Sequence, residues 1–236
     1  MSSLSPSTNA APVQIAEKDT FRQPSFWKTL LFYVSLALLF RIAIFEAFEI
    51  EGPSMEPTLL NGDRVVVSKF SYGLFLPFMK QALVTWGQPE ASEVVIVKSP
   101  ADNIDIVKRI IGLPGDVIEI RDDIVYRNGR ALGSGKPRRC GDLKAEHRDL
   151  GCTWVAERLD QARYFTSQSL SSPVANYPSV RVPKDHVYIL GDHRDRSNDS
   201  RFFGPVPINR IKGRGLVIYW SKDHNVRWNR MFRRVQ

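Results

Sequence analysis

Histidine and cysteine are scarce, four and two in 236 residues. None of the histidines, His147, His186, His193 and His224, sits in a histidine-glutamate metal motif or a Gly-x-Ser-x-Gly context. Cys140 and Cys152 lack the multi-ligand spacing of a zinc site, and they can pair as one disulfide where the compartment permits it. Glycine and proline, 15 of each, stand near average usage, which excludes collagen-like and low-complexity chains. No internal repeat of solenoid or propeller length is present. With 43% hydrophobic and 25% charged residues the chain is neither disordered nor a coiled coil, and its length fits one ordinary domain plus an appendage.

Basic residues outnumber acidic ones by 33 to 25, but unevenly. From Arg201 to Gln236 nine Lys/Arg face the single Asp223, which accounts for the whole formal charge of +8. Trp220, Trp228 and Phe232 are interleaved with them. Such a segment meets nucleic acid or an anionic bilayer, or it is the solvated face of a terminal hairpin; both readings stay open.

From Thr29 to Phe45 the chain reads TLLFYVSLALLFRIAIF, with Arg41 its only charge. With its flanks from Phe26 to Phe48 the run is long enough to cross a hydrocarbon layer of about 30 Å. A buried soluble helix is the competing reading, since Arg41 interrupts the run; an arginine near a helix end can also snorkel to the interface. No small-residue cleavage site follows it, which argues against a cleaved leader. Lys18, Arg22 and Lys28 precede the run, whereas acidic residues dominate after it, so the N-terminus is expected to be cytoplasmic. The expected organisation is a tail over 1–27, a transmembrane helix over 28–48 and an exported domain over 49–236, in a space where a disulfide persists.

Beyond Glu49 short runs rich in Val, Ile and Tyr alternate with turn signals: DRVVVSKF, EVVIVKSP, IDIVKRIIG, DVIEIRDD, IVYRNGRAL, HVYILGD and GRGLVIYW. These are strands, and Asn128-Gly129 marks a hairpin. Residues 133–179 break the rhythm and read as a polar insertion or a second subdomain. The fold class is therefore mainly β, an N-terminal helix followed by an all-β domain.

One strand holds a conflict. In Ile104–Ile110 the period-two alternation places Lys108 with Ile104, Ile106 and Ile110, while Asp105 and Arg109 point the other way. Either the stem packs and the ammonium escapes at a sheet edge, or the amine is desolvated and becomes a usable general base. A base needs a nucleophile. Gly52-Pro53-Ser54-Met55-Glu56-Pro57-Thr58 is either a mere turn or one that holds Ser54 in a non-helical conformation presenting it to a substrate. A third segment, Gly191 to Arg201, packs charges of both signs behind the strand HVYIL, as a solvated loop or as an ion-pair network bracing a site.

Together these segments resemble the bacterial type I signal peptidases, membrane-anchored Ser/Lys endopeptidases. The likeness rests on Ser54-Met55-x-Pro57-Thr58-Leu59, Gly62-Asp63, Lys108 through Asp116, and Gly191-Asp192 through Arg201, in that order. It implies Ser54 as nucleophile, Lys108 as general base, and Ser197 as a hydroxyl positioning the lysine. Asp199 and Arg201 would form a supporting salt bridge, with Asp192 and Arg194 as further bracing. The Ser54 backbone N–H would be an oxyanion donor. Many relatives carry a second donor, a hydroxyl, where this chain has Gly52, and His193 and Arg196 stand where the family often has asparagine.

The resemblance further implies acyl transfer without metal or cofactor. The substrates would be preproteins with small residues at the first and third positions before the cut, bound as an added β-strand. The partners expected are these preproteins and membrane lipid, with no nucleic acid. Phe75-Leu76-Pro77-Phe78 and Trp86 would rest in the bilayer surface or else pack as an ordinary loop. A conjugative-pilus processing peptidase shares anchor and dyad, an autoproteolytic repressor shares the dyad without the anchor, and a non-enzymatic anchored binding module would not need Ser54. Cys140 and Cys152 are expected to be joined in the exported domain.

Overall fold

A computed structural model of the protein describes residues 26–74, 84–85, 87–133, 136–140 and 151–235, with backbone alone for 37–44. The chain divides into two units, one ending at Leu38 and the other running from Leu39 to Gln236. Helix α1 spans Phe26–Ile44. The strands of four residues or more are β1 (Phe45–Glu49), β2 (Asp63–Ser68), β3 (Val94–Lys98), β4 (Asp105–Gly112), β5 (Val117–Arg121), β6 (Ile124–Arg127), β7 (Cys152–Leu159), β8 (Ala162–Ser169), β9 (Tyr177–Arg181), β10 (His186–Leu190) and β11 (Ile211–Ser221). A short helix, α2, occupies Ser200–Phe203. The mainly β expectation holds.

The expected helix over 28–48 ends early. Phe45–Glu49 is a strand paired antiparallel with Arg64–Ser68, and the ion pairs Glu46–Lys69 and Glu49–Arg64 close that ladder. Backbone groups that a longer helix would satisfy internally are satisfied by β2 instead. Phe26, Trp27, Leu31, Phe32 and Tyr33 of α1 are exposed. Among the described residues no helix is long and apolar enough to cross a membrane; the side chains of 37–44, and Phe75–Phe78 and Trp86, lie outside them.

The main sheet runs β1-β2-β11-β3-β4-β10, with Val206–Pro207 beyond β10 and Arg233–Arg234 paired to β11. Central β3 reads Val-Val-Ile-Val because both its faces are covered. Val94 and Ile96 join a cluster with Met55, Leu59, Val65, Val67 and Ile218, while Val95 and Val97 join Ile110, Val187, Ile189 and Ile211. The second sheet, β9-β5-β6, continues through the Asn128-Gly129 turn, whose two residues both have positive φ, to Arg130–Ala131. Its Ile118, Ile120 and Val125 share a third cluster with Ile111, Leu190, Leu159 and Tyr164.

That third cluster bears on two expectations. The segment 133–179 is not only polar: β7 and β8 form a long hairpin, β9 joins the second sheet, and Leu159 and Tyr164 are core residues. The alternation in β4 holds, with Arg109 on the face opposite Lys108, but that face is covered too, and Arg109 is fully buried where the hairpin closes over it. The basic C-terminal segment is mixed: Arg233 and Arg234 are exposed, whereas Arg230 is buried against buried Asp63, with Nη2 to Oδ2 at 2.6 Å.

Candidate active site

Gly52 has φ +81°, a left-handed conformation that glycine adopts without steric cost. Its N–H donates to Asn61 Oδ1 at 3.0 Å. Beyond it the Pro53 carbonyl accepts from the Glu56 N–H, and Leu59 N–H donates to the Met55 carbonyl. Met55 and Leu59 are fully buried, so the turn carrying Ser54 is fastened to the core immediately after the serine.

Lys108 lies opposite Val95 on β4, and its Nζ stands 3.0 Å from Ser54 Oγ and 2.8 Å from the Val107 carbonyl oxygen. Only 3% of the lysine is exposed. Burial pulls its pKa down to about 8, against the pull of the Asp199 and Asp192 carboxylates, with the Arg201 guanidinium assisting the decrease. The lysine therefore did not escape at an edge. An amine whose pKa is lowered toward neutrality, within hydrogen-bonding distance of a serine hydroxyl, is the geometry a general base requires.

The loop Gly191–Arg201 leaves β10 beside these two residues, because Leu190 pairs with Arg109 in the sheet. Gly191 permits the approach: a Cβ there would collide with Ser197 and with the Ser54 carbonyl oxygen. His193 N–H donates to that same carbonyl at 3.1 Å. Asp199 caps α2, accepts from the Gly191 N–H at 2.9 Å, and holds Arg201 through Nε and Nη2, both at 2.8 Å. Ser197 is buried in this loop, but its Oγ makes no hydrogen bond and is not a partner of Lys108.

Asp192 and Arg194 are not partners of one another. Asp192 binds Arg109, Nε to Oδ1 at 2.8 Å and Nη2 to Oδ2 at 2.7 Å, with Thr58 Oγ1 donating to the same carboxylate. Arg194 binds Glu157 on β7 at 2.6 Å. Tyr164 of β8 lies under the Arg109 guanidinium, 4.0 Å from ring centroid to Cζ. Despite burial, Asp192 keeps the Arg109 pKa above its ordinary value, and Glu157 does the same for Arg194. Sequence reasoning gave Arg109, Thr58, Glu157 and Tyr164 no role. The nearest signal was a second charge, Arg109, following Lys108 in an apolar strand.

Ser54 N–H makes no hydrogen bond among the described residues, whereas Gly52 N–H is engaged by Asn61. Cys140 and Cys152 form a disulfide, with Cα atoms 5.3 Å apart. Among the described residues no group of three or more His, Cys, Asp or Glu could hold a metal ion.

The family model "Signal peptidase, peptidase S26" matches residues 24–220. A signal peptidase I of Pseudomonas fluorescens is 31% identical over 202 residues, 79% of this chain and 68% of that protein. One from Rickettsia canadensis is 32% identical over 225 residues, 83% of this chain and 79% of that protein. A crystal structure of a signal peptidase I from Enterococcus faecalis is 28% identical, covering 55% of this chain and 98% of that one at a TM-score of 0.35, too low to carry an argument about the fold. With its serine-lysine pair built from the blocks that the sequence displays in order, the chain belongs to the signal peptidase family, peptidase S26.

Proposed function

We propose that this protein is a membrane-anchored endopeptidase that removes N-terminal signal peptides from exported preproteins, with Ser54 as nucleophile and Lys108 as general base. The observation that carries this reading is the 3.0 Å contact between Ser54 Oγ and the buried, pKa-lowered amine of Lys108. The neutral amine takes the Ser54 proton as Oγ attacks the scissile carbonyl, and the resulting ammonium gives that proton to the leaving amine. An acyl-enzyme remains. Lys108 then takes a proton from water, whose oxygen attacks the ester and releases the carboxylate product with regeneration of Ser54.

The Ser54 N–H faces the oxyanion in this reading, with Gly52 supplying conformation rather than a donor. Asp199–Arg201 and Asp192–Arg109 hold the loop and strand that carry the pair, Arg194 ties the loop to β7, and Ser197 fills the space between Gly191 and the site. No metal or cofactor enters any step.

The apolar run from Phe26 to Phe48 and the exposed aromatics of α1 support attachment to a bilayer, with the N-terminus cytoplasmic and the β domain on the outer face of the inner membrane. The substrates are preproteins with small residues before the cut, and lipid is the other partner. Incubating the purified full chain with one such preprotein, beside its Ser54→Ala variant, tests the reading. Cleavage by the wild type alone is expected; equal cleavage by both would overturn it.

A further inference from the structure

His193 is fully buried, and the mechanism above gives its ring nothing to do. Its backbone N–H holds the Ser54 carbonyl oxygen, so it stands one hydrogen bond from the nucleophile's own peptide group. Its ring lies between two carboxylates. Nδ1 is 3.7 Å from Oε2 of Glu56, two residues beyond Ser54, and Nε2 is 3.3 Å from Oδ1 of Asp195. Neither nitrogen completes a hydrogen bond in this arrangement.

Both carboxylates sit on fixed backbone. Asp195 Oδ1 accepts the Ser169 N–H at 3.0 Å, and the Glu56 carbonyl accepts from Ser167 Oγ at 2.8 Å. Ser167 also forms a parallel bridge with His193. The carboxylates within ion-pair distance of the ring are Glu56 from the nucleophile turn and Asp195 from its own loop. The ring therefore stands between a carboxylate of the Ser54 turn and one of the 192–195 loop, within reach of both.

We propose that His193 is a positioning residue: its buried ring, seated between Glu56 and Asp195, clasps the two segments together and so fixes the Ser54 turn against the 192–195 loop at the distance Lys108 needs. The inference rests on the reading of Ser54 as nucleophile. Because His193 acts through the Ser54 peptide and touches neither side chain of the pair, its loss should slow turnover without weakening substrate binding. A displacement of about 1 Å at a reacting atom costs up to about a hundredfold in rate.

The test is single-turnover and steady-state cleavage of one preprotein by the full chain and by His193→Gln, Glu56→Gln, Asp195→Asn and the His193→Gln/Glu56→Gln pair. His193→Gln and Glu56→Gln are each expected to lower kcat about tenfold or more with KM within about twofold. The pair should be no slower than the worse single variant, since both break one clasp. Wild-type kcat in His193→Gln, losses that multiply in the pair, or a rise in KM with kcat unchanged would each overturn the proposal. If His193→Gln does not fold, the two carboxylate variants decide alone, and unchanged kcat in both overturns it. An active Ser54→Ala variant would instead remove the reading underneath. An inactive Ser54→Ala with fully active His193→Gln removes only the clasp.

Discussion

Arg109 and Asp192 form a bidentate ion pair with both side chains excluded from solvent, and each is the immediate neighbour of a residue that handles Ser54. Arg109 follows Lys108, and Asp192 precedes His193, whose N–H holds the Ser54 carbonyl. The pair therefore joins the strand that carries Lys108 to the loop behind Ser54. Removing one partner leaves a buried charge uncompensated, which costs about 3–5 kcal/mol. Asp192→Ala should lose that much in urea denaturation followed by tryptophan fluorescence. A loss below about 1 kcal/mol, the scale of a surface pair, would show that the pair is not buried as described.

The pH dependence follows from Lys108. In the proposed mechanism the active base is the neutral amine, and burial places its pKa at about 8. Below that pH the amine is protonated and cannot accept the Ser54 proton, so the single-turnover rate should fall about tenfold per pH unit and should level off above it. Substituting Asp199 by asparagine removes a charge that raises the lysine pKa, so the limb should move to lower pH. A limb that stays in place or moves upward in that variant would contradict the assignment.

Gly52 carries a conformational prediction. Nothing lies within 4 Å of a Cβ built on it, but at φ +81° any side chain is strained. Gly52→Ser and Gly52→Ala should each lose about 1–2 kcal/mol of stability and slow turnover to a similar degree. A Gly52→Ser rate about a hundredfold above wild type would mean that the hydroxyl supplies an oxyanion donor the protein otherwise lacks.

Lys108 stood out as a lysine that breaks an apolar alternation and Ser54 as a serine in a Gly-Pro turn, but each alone also fitted a bland reading, and only the resemblance to the signal peptidases joined them as a pair. The strands of the main sheet were legible from β-branched runs. The burial of Arg109 was not, since it depends on the β7–β8 hairpin folding back over β4. That hairpin hides in the sequence: Thr153, Glu157, Thr166 and Gln168 give it a polar look, while Leu159 and Tyr164 do the packing. The end of α1 was equally hidden, because the apolar run continues through Phe45 and Phe48 although the glutamates between and after them pair in β1.

The hairpin's coupling to the site makes the disulfide testable. Cys152 begins β7 and is joined to Cys140 across a separation of 12 residues. Opening so short a loop costs about 3 kcal/mol in the chain-entropy description. Reduction should lower the melting temperature. Because Glu157 of the same strand holds Arg194, it should also reduce turnover, whereas an unchanged melting temperature after verified reduction would show that the bridge adds no stability.

The most direct test of the central claim compares Ser54→Ala, Lys108→Ala and the double variant in single-turnover cleavage of one preprotein, each preparation checked for folding by circular dichroism. A nucleophile and its base act as one unit, so each single variant should lose essentially all activity and the double should be no worse than either. Substantial turnover by a folded Lys108→Ala preparation, or a double variant markedly slower than both singles, would contradict the Ser54–Lys108 mechanism.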